Sequence, residues 1–579
     1  MVENITLHRR IVLKPSPPQE LIRRLGQQLN IHPVFLRMLV RQGVVSFEGA
    51  RDFFRPHLGL LHDPYLMKDM EPAVGRILSA IANRERILFW GDYDVDGTTA
   101  TALMVSFFKD FLNYTETGYY IPDRYNEGYG ISSTGLRFAA DNGFSLLVAL
   151  DCGTLAVAEA SEAQSLGLDL IVCDHHRPGP VLPQAVAVLN PKRPDCSYPF
   201  RDLSGCGVAF KLVQALAAAY GISIEELQPL TDLVAISTCA DIVDLTDENR
   251  VLVYTGLQQI RQHPRPAVRL LAEILEKNPE EFTSEDIVFG LGPRLNAAGR
   301  IEHGRLAVSL LLENDEEHLR QIAARLENLN QERRQYDRQI TLEAYEDLLK
   351  QQITKFSVIA YRPHWHKGVV GIVAARLVER FYLPAIVLTN SEGKITGSAR
   401  SIPGFDLFEA LSRCAEHLEN FGGHAFAAGL TLSHDKLQAF METFDQIASE
   451  MLGKSKPCPI VEVDDEIDFR TLTPAFVNLK NQFGPFGPGN MDPVFLARGL
   501  RLYDNEISEF GEGHLRFKVR QPACCPTAFP VVAYKMASLR QLIQQTESFD
   551  MAFNVSLFGK NKIIELEAKS IIPSALECQ

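Results

Sequence analysis

The chain has 579 residues, which is too long for a single hydrophobic core and predicts several domains. Hydrophobic residues make up 46% of it, yet no apolar run is long enough to cross a membrane. The net charge of −14 argues against a protein that coats DNA non-specifically, because binding to phosphates needs a positive surface. It does not exclude an enzyme whose basic residues line one channel.

The N-terminus and the cysteines both predict a cytoplasmic protein. The first residues lack the basic, apolar and small-residue order of a signal peptide. The ten cysteines are scattered and contain no CxxC pair, so we expect reduced thiols and neither disulfides nor a thiolate zinc site.

The first 70 residues read as short helices with proline breaks, and a regular alternation follows from about residue 85 to residue 240. Short apolar runs alternate there with helical stretches. The runs are RILFWG (86–91), SLLVAL (145–150), LDLIVC (168–173) and AVAVLN (185–190). This alternation is typical of βαβ units, so we expect an α/β domain with a parallel sheet.

Residues 314–350 contain neither proline nor glycine and predict one long helix between two lobes. Leu319, Ile322 and Leu326 begin an apolar stripe with helical spacing, and Asn314 with Glu317 resembles an N-cap and its partner. A coiled-coil dimer is the alternative, but the stripe is broken at Arg333 and is too short for one.

The last third of the chain predicts two further domains. Residues 351–453 contain the runs FSVIAY, PAIVLTN and KITGSAR around a helix, which indicates a second α/β module. Residues 459–579 contain mainly short β-rich runs. These predict a small barrel of the oligonucleotide-binding (OB) kind.

Acidic residues and histidines follow three successive predicted strands. They are Asp92, Asp94 and Asp96 after the first run, Asp151 after the second, and Asp174, His175 and His176 after the third. Ligands of doubly wound sheets bind beyond the carboxyl ends of the strands, so we expect these side chains to meet at one edge. Asp241 ends the apolar helix TDLVAISTCA and could approach from the side. Asp244 is a second acidic candidate, and we prefer Asp241 because it directly ends the helix.

A calcium loop of the D-x-D-x-D-G type is the alternative reading of DYDVDG at 92–97. Such a loop needs a glutamate six residues after the glycine, where this chain has Leu103, and it follows a helix, not a strand. Carboxylates with imidazoles and no thiolate suit Mn²⁺ or Mg²⁺ and could admit Zn²⁺. So many ligands predict two ions, about 3.5–4 Å apart, at a site of phosphoryl displacement.

The motifs DYDVDG, DCGT, DHH and CADIVDL, in this order, resemble those of the DHH phosphoesterase superfamily. IPDRYNEGYG at 121–130 and GPRLNAAGRI at 292–301 are similar to its RecJ exonuclease family in particular. GGHAFAAGL at 422–430 and GSARS at 397–401, where that family commonly has GSGRS, resemble its DHH-associated domain. PFGPGNMDPVF at 485–495 resembles the entry to its OB domain.

The resemblance implies a division of the chain and a role for each site residue. The domains would be an N-terminal helical segment (1–70), a DHH catalytic domain (71–313), the connector helix (314–350), the DHH-associated domain (351–453) and the OB domain (459–579). Asp92 and Asp94 would hold one metal ion, Asp96, His175 and Asp241 the other, and Asp151 would bridge them. Asp151, His175 and His176 would be catalytic, with His176 near the scissile phosphate or the leaving oxygen.

The same resemblance implies a substrate site made by both lobes. Arg124, Ser398 and Arg400 would grip a terminal 5′-phosphate. The remaining predicted substrate-binding residues are Arg294, Asn296, Arg300, Gly422, Gly423 and His424. We expect the arginines to bind phosphate bidentately and the paired glycines to let the backbone approach a ligand.

The implied function is that of a 5′→3′ exonuclease for single-stranded DNA in DNA repair and recombination, with two Mn²⁺ or Mg²⁺ ions. It would release nucleoside 5′-monophosphates and would work with a single-strand-binding protein and a helicase. A DHH-family oligoribonuclease or nucleotide phosphatase is the first alternative. A catalytically inactive scaffold like the replication factor Cdc45 is the second.

Overall fold

The computed structural model of the protein describes residues 9–350, 355–453, 456–559 and 561–574. The described residues form two compact units, neither of which is continuous in sequence. One unit takes its residues from Met1–Val45, Arg333–Asn481 and Pro493–Gln579; the other consists of Ser46–Glu332 and Gln482–Asp492. Among the described residues, no helix is both long and apolar enough to span a membrane.

The N-terminal region is helical as expected, but it begins with a strand. Its elements are β1 (Arg10–Leu13), α1 (Gln19–Gln28), α2 (Pro33–Arg41) and α3 (Phe47–Phe54). The proline breaks are used as helix starts, because Pro33 occupies the first turn of α2, where no backbone donor is needed.

The next stretch is the predicted α/β domain. Its elements are α4 (Met70–Ala82), β2 (Arg86–Gly91), α5 (Val95–Ser106), β3 (Thr117–Tyr120), α6 (Ser133–Asp141), β4 (Phe144–Leu150), α7 (Val157–Ser165), β5 (Asp169–Cys173), β6 (Ala187–Leu189) and α8 (Gly205–Ala219). The strands form a sheet in the order β3-β2-β4-β5-β6, and every pairing is parallel. The predicted parallel sheet is confirmed. The apolar runs lie in its core because helices cover both faces.

Helices complete this unit. They are α9 (Thr231–Ala240), α10 (Asp247–Gln262), α11 (Pro266–Ile274), α12 (Ser284–Asp286), α13 (Gly292–Ile301) and α14 (Arg305–Leu312). A π-helical turn, Ile287–Leu291, leads into α13.

The predicted connector is one continuous helix, α15 (Glu316–Lys350). Its N-cap differs from the predicted one, because Asp315, and not Asn314, accepts the backbone N–H of His318 at 2.9 Å. An aspartate one residue closer to the helix places its carboxylate on the third helical amide, as an N-cap requires.

The second α/β module has a mixed sheet. Its elements are β7 (Val358–Tyr361), α16 (Val370–Phe381), β8 (Ala385–Ser391), β9 (Lys394–Arg400), α17 (Leu407–Arg413), β10 (Asn420–Gly423), β11 (Ala427–Leu432) and α18 (Leu437–Leu452). The strand order is β10-β11-β9-β8-β7, with β7 and β8 parallel and the other pairs antiparallel.

The C-terminal part is the expected barrel. Its elements are β12 (Ile460–Val463), β13 (Asp465–Glu466), α19 (Pro474–Asn481), β14 (Phe495–Phe510), β15 (His514–Gln521), β16 (Cys525–Ala533), α20 (Arg540–Gln545), β17 (Phe549–Phe558) and β18 (Ile563–Pro573). The sheet closes because β14 pairs with both β15 and β17, giving the ring β14-β15-β16-β18-β17. β12 lies outside the ring and pairs in parallel with β1.

Candidate metal centre

The candidate centre lies at the carboxyl edge of the parallel sheet. β2, β4 and β5 are neighbours, and they are followed directly by Asp92, Asp151 and Asp174. Asp151 leaves its strand with a left-handed φ of 59°. The predicted meeting of the strand-terminal residues is therefore observed, because adjacent parallel strands end at the same edge.

The structure brings all the proposed ligands together with His176. Three groups have ligand atoms that lie within 4.8 Å of one another: Asp92, Asp94 and Asp151; Asp96, His175 and Asp241; and Asp151, His175 and His176. Asp151 belongs to two of these groups, which suits the bridging role proposed for it. The assignment of each residue to an ion stays a prediction.

Helix N-termini position two of the carboxylates. Asp94 caps α5, and one of its oxygens accepts the N–H groups of Asp96 at 2.9 Å and Gly97 at 3.2 Å. Asp96 accepts the N–H of Gly205 at 2.6 Å, at the start of α8, and the hydroxyl of Ser237 at 2.6 Å. These donors fix both side chains and stabilise their negative charge.

His175 presents a lone pair to three carboxylates. Its Nδ1 lies 2.9 Å from the carbonyl oxygen of Leu203, which can only accept, so Nδ1 carries the proton of the neutral ring. Its Nε2 lies 3.2 Å from Asp151, 3.6 Å from Asp96 and 3.7 Å from Asp241. In the neutral ring, acceptors face acceptors here, and a cation between them would remove the repulsion.

Two buried carboxylate oxygens support the same conclusion. Oδ1 of Asp92 and Oδ1 of Asp151 have no hydrogen-bond donor among the described residues. Burial raises the pKa of both carboxyl groups well above the usual range, and the charges of neighbouring aspartates add to the effect. Unsatisfied buried carboxylates of this kind fit a divalent cation, which prefers oxygen ligands.

Asp174 and Tyr129 orient the histidines, although no separate role was predicted for either residue. Asp174 accepts the N–H of Thr154 at 2.9 Å, the N–H of His175 at 2.7 Å and Nδ1–H of His176 at 2.8 Å. Burial opposes ionisation of Asp174, but the bond to His176, the charges of both histidines and the bond from Thr154 together outweigh it and lower the pKa. Burial also opposes the charged form of His176, but the bond to Asp174 and the neighbouring carboxylate charges together raise its pKa to about 9. The Tyr129 hydroxyl donates to the Asp151 carbonyl at 2.9 Å and lies 3.1 Å from His176 Nδ1.

The edge strand β6 contributes two further residues that the sequence reading missed. Asn190 donates from Nδ2 to the carbonyl of His176 at 2.8 Å, and its Oδ1 accepts the N–H of Lys192. The positive charge of Lys192 favours the ionised form of Asp241. The sequence does contain a signal for these two residues. Asn190 and Lys192 follow directly after the apolar run that forms β6, and the carboxyl end of this parallel strand lies at the same sheet edge.

Two of the predicted substrate residues of this unit are solvent-accessible in part. The guanidinium of Arg124 lies over the ring of Tyr93, 4.9 Å from its centre. Arg300 is half-buried, and its carbonyl accepts the hydroxyl of Tyr125. Both side chains lie near the loop that carries the first aspartates, so contact with substrate stays a prediction for them.

Arg294 and Asn296 both have partners within the protein. Arg294 is buried, donates to the Gly290 carbonyl at 3.0 Å and forms an ion pair with Glu327 at 2.7 Å. Asn296 accepts the backbone N–H of Val95 at 3.1 Å through Oδ1. Contact of either residue with substrate stays a prediction.

In the second α/β module, Ser398 and Arg400 lie two residues apart on β9 and contact each other. Arg400 Nη1 donates to Ser398 Oγ at 3.0 Å. A Cβ at Gly371, in the first turn of α16, would lie 3.0 Å from the same oxygen. The predicted meeting of these two residues with Arg124 on one phosphate stays a prediction.

Of the paired glycines, Gly423 is required by the backbone, whereas Gly422 is not. Gly423 has a φ of 143°, and a Cβ there would lie 2.3 Å from the Ala427 carbonyl, so the hairpin between β10 and β11 requires glycine. Nothing lies within 4 Å of a Cβ built at Gly422, which leaves room for a ligand. His424 donates its backbone N–H to Ala427 at 2.8 Å and lies in the hairpin turn.

Models of three domain families match this chain. The DHH family N-terminal domain matches residues 86–238, the DHHA1 domain residues 354–450 and the RecJ OB domain residues 463–570.

The chain is also similar to several single-stranded-DNA-specific exonucleases named RecJ. It is 39% identical to that of Bacillus subtilis, with 87% of this chain and 63% of the relative covered. It is 38% identical to that of Dickeya dadantii (84% and 87% covered) and 36% to that of Escherichia coli (85% and 87%). The chain thus spans less than two thirds of the B. subtilis relative.

Solved structures give the same result. The RecJ of Thermus thermophilus in complex with Mn²⁺ is similar with a TM-score of 0.82 and 26% identity, with 98% of this chain and 79% of that chain covered. The same protein in complex with Mg²⁺ gives a TM-score of 0.76, with 97% and 78% covered.

Proposed function

Because this chain belongs to the RecJ family of single-stranded-DNA-specific exonucleases, we propose that it hydrolyses single-stranded DNA from the 5′ end with two divalent metal ions. The products would be nucleoside 5′-monophosphates. The observation that carries the proposal is the lone pair of His175 Nε2 within 3.7 Å of three carboxylates, beside two buried carboxylate oxygens that accept from no donor in the described part of the chain.

The ligand groups support two ions. Asp92 and Asp94 would hold one ion, Asp96, His175 and Asp241 the other, and Asp151 would contact both. Two Mn²⁺ or Mg²⁺ ions, when bound, would lower the pKa of a water molecule and stabilise the charge on the phosphate oxygens.

His176 supplies the acid of the proposed mechanism. Asp174 holds its Nδ1 at 2.8 Å and keeps the ring oriented. Nε2 is then the atom that would give a proton to the leaving oxygen. Tyr129 would help to orient the ring at the same nitrogen, since its hydroxyl lies 3.1 Å from Nδ1.

We propose that the barrel holds the strand through exposed aromatic residues and arginines. Phe517 is buried in the barrel and is not a candidate for base stacking. On the outer face of β15, the guanidinium of Arg516 lies 5.2 Å from the ring centre of Phe510, and that of Arg520 lies 5.9 Å from that of Tyr503. Exposed aromatic rings beside cations suit unpaired bases and their phosphates.

The cellular setting remains a proposal as well. We propose a cytoplasmic enzyme of DNA repair and recombination that works with a single-strand-binding protein and a helicase. A Cdc45-like scaffold is not favoured, because every proposed metal ligand is present.

Digestion of strands labelled at either end tests the proposal. With Mn²⁺ or Mg²⁺, a 5′ label should leave at once as a mononucleotide, whereas a 3′ label should pass through a ladder of shortening strands. A chelator should stop both reactions, and a fully paired duplex should resist. Asp151→Ala should lower the rate by about 10³-fold or more. Asp169→Ala is the matched control, since that exposed residue lies at the opposite end of β5.

Release of the 3′ label first would show that the direction of the proposal is wrong. Equal rates on long strands and on dinucleotides would favour the oligoribonuclease alternative. Tight metal binding without hydrolysis would favour the scaffold.

A further inference from the structure

The metal-binding loop (Asp92–Asp96) is contacted by α13, a helix that belongs to none of the ligand groups. Asn296 on α13 accepts the N–H of Val95 at 3.1 Å. Val95 is the first residue of α5, so this N–H is one of those that no helical carbonyl can satisfy. Asn296 therefore acts as a cap that comes from another helix.

This contact bears directly on Asp94. Asp94 already accepts the next two N–H groups of α5 through one oxygen, Oδ1. Because Asn296 satisfies Val95, the second carboxylate oxygen of Asp94 is not drawn to the backbone and can serve a cation. Without Asn296, the unsatisfied N–H would compete for it.

Two glycines let α13 and the turn after it approach the loop this closely. A Cβ at Gly299 would lie 2.3 Å from the carbonyl oxygen of Tyr93, and one at Gly304 would lie 2.9 Å from the same oxygen. No side chain fits at the first of these distances. The backbone between Asp92 and Asp94 thus packs directly on α13.

The other end of α13 is fixed as well. Arg294 donates to Gly290 in the turn that leads into the helix and pairs with Glu327 on α15 at 2.7 Å. Both partners are largely buried, so the ion pair is shielded from solvent and from salt. The helix that contacts the loop is held at both ends.

We propose that Asn296 is a positioning residue, which orients Asp94 for metal binding through the N–H of Val95 and does not contact DNA. The inference rests on the proposed two-metal function. It assigns the segment GPRLNAAGR the task of supporting the metal-binding loop.

The substitutions Asn296→Ala and Asn296→Asp separate positioning from substrate contact. Aspartate can still accept the N–H of Val95, but it cannot donate to a phosphate and would repel it. Mn²⁺ affinity is measured on the protein without DNA, by calorimetry or electron paramagnetic resonance. kcat and KM are then measured on a 5′-phosphorylated strand.

We expect Asn296→Ala to lower Mn²⁺ affinity or kcat by about 10- to 100-fold with KM for the strand unchanged. Asn296→Asp should keep Mn²⁺ affinity and kcat within a few-fold of the values for the unsubstituted protein. Asn142→Ala is the control, because that exposed asparagine caps the C-terminal end of α6. This substitution should change neither Mn²⁺ affinity nor kcat. Should Asn296→Ala fail to fold, Asn296→Ser also removes Oδ1 but keeps a polar side chain at this position.

A raised KM with unchanged Mn²⁺ affinity would overturn the inference, and so would an aspartate variant that is less active than the alanine variant. Failure of the unsubstituted protein to bind Mn²⁺ would instead contradict the proposed function. The two failures are therefore distinguishable.

Discussion

At the scale of single residues, Arg400 offers the sharpest test of how the strand end would be chosen. It bonds Ser398 on β9, beside the first turn of α16. A terminal phosphate carries more charge than a diester, so an arginine that binds it should favour a 5′-phosphorylated strand. Arg400→Ala should reduce the preference for 5′-phosphate over 5′-hydroxyl strands by about tenfold or more.

The measurement compares kcat/KM on the two strands, and Mn²⁺ affinity should stay unchanged. Arg413→Ala is the matched control, because that arginine of the same module pairs with Glu450. A full preference for the phosphorylated end in Arg400→Ala would place the pocket elsewhere.

The meeting of the proposed metal ligands could be predicted residue by residue, because a side chain at the end of a parallel strand has its position set by the strand. Asp92 and Asp151 needed no more than that rule. The contact of Asn296 with Val95 could not be predicted, because the partner is a backbone N–H about 200 residues earlier in the chain, and no sequence pattern reveals such a contact. Asp174 also directly follows a strand, so the same rule could not distinguish it from the proposed ligands.

At the scale of elements, the N-cap of α15 can be tested with two neighbouring residues. Asp315→Ala should lower the free energy of unfolding by about 0.5–2 kcal/mol, because the N–H of His318 loses its acceptor. Asn314→Ala should have little effect. The midpoint of urea unfolding, followed by circular dichroism, measures both, and equal midpoints would contradict this cap.

The outer face of β15 gives a second test. Replacing Arg516 and Arg520 together by alanine should weaken binding of a long strand. The slope of the logarithm of the binding constant against the logarithm of the salt concentration should become shallower by about 0.7 per lost phosphate contact. Rates on dinucleotides should change little. Arg470→Ala is the control, because Arg470 is exposed but pairs with Asp468 outside β15. Equal losses on short and long strands would assign the face a structural role.

Phe517→Ala should behave differently from these surface changes. Its ring is buried in the barrel, so truncation should cost about 3–5 kcal/mol of stability. The sequence run HLRFKVRQ predicts the strand, and its alternation predicts that one face is apolar. Phe517 alternates with the exposed cations Arg516 and Lys518 and therefore lies on the opposite, buried face.

At the scale of the whole molecule, metal binding should couple to pH. Burial and neighbouring charges raise the pKa of Asp92, Asp94, Asp151 and Asp241 in the folded protein without metal. A raised folded pKa favours the fold below the ordinary carboxyl pKa, and this contribution is lost as the pH rises through the folded value. His176, whose pKa is raised to about 9, acts in the same direction above pH 6.5.

The metal-free protein should therefore melt at lower temperature as the pH rises from 6.5 to 8.5. Mg²⁺ requires ionised ligands, so the stabilisation that it gives should grow over the same range. Differential scanning calorimetry with chelator and with Mg²⁺ measures both. A gain in Tm that does not change with pH would contradict the coupling.

The two units show what the order of motifs along the chain could not reveal. The five predicted domains were read as successive segments, whereas β1 pairs with β12 about 450 residues later. The segment Gln482–Asp492 belongs to the same compact unit as Ser46–Glu332, and Arg250 donates to the Phe483 carbonyl there at 2.8 Å. Pairings between distant segments depend on tertiary packing, and local periodicity carries no information about them.

The left-handed backbone conformation at Asp151 should lower the stability of the folded protein. A residue with a Cβ costs about 1–2 kcal/mol in that conformation, and a buried carboxylate without a donor adds to the cost. Asp151→Gly should therefore give an inactive protein that melts at higher temperature than the metal-free original, and higher than Asp151→Ala, which keeps a Cβ. Such a result would mean that selection for catalysis holds this position at a local cost in stability, which binding of the ions then offsets.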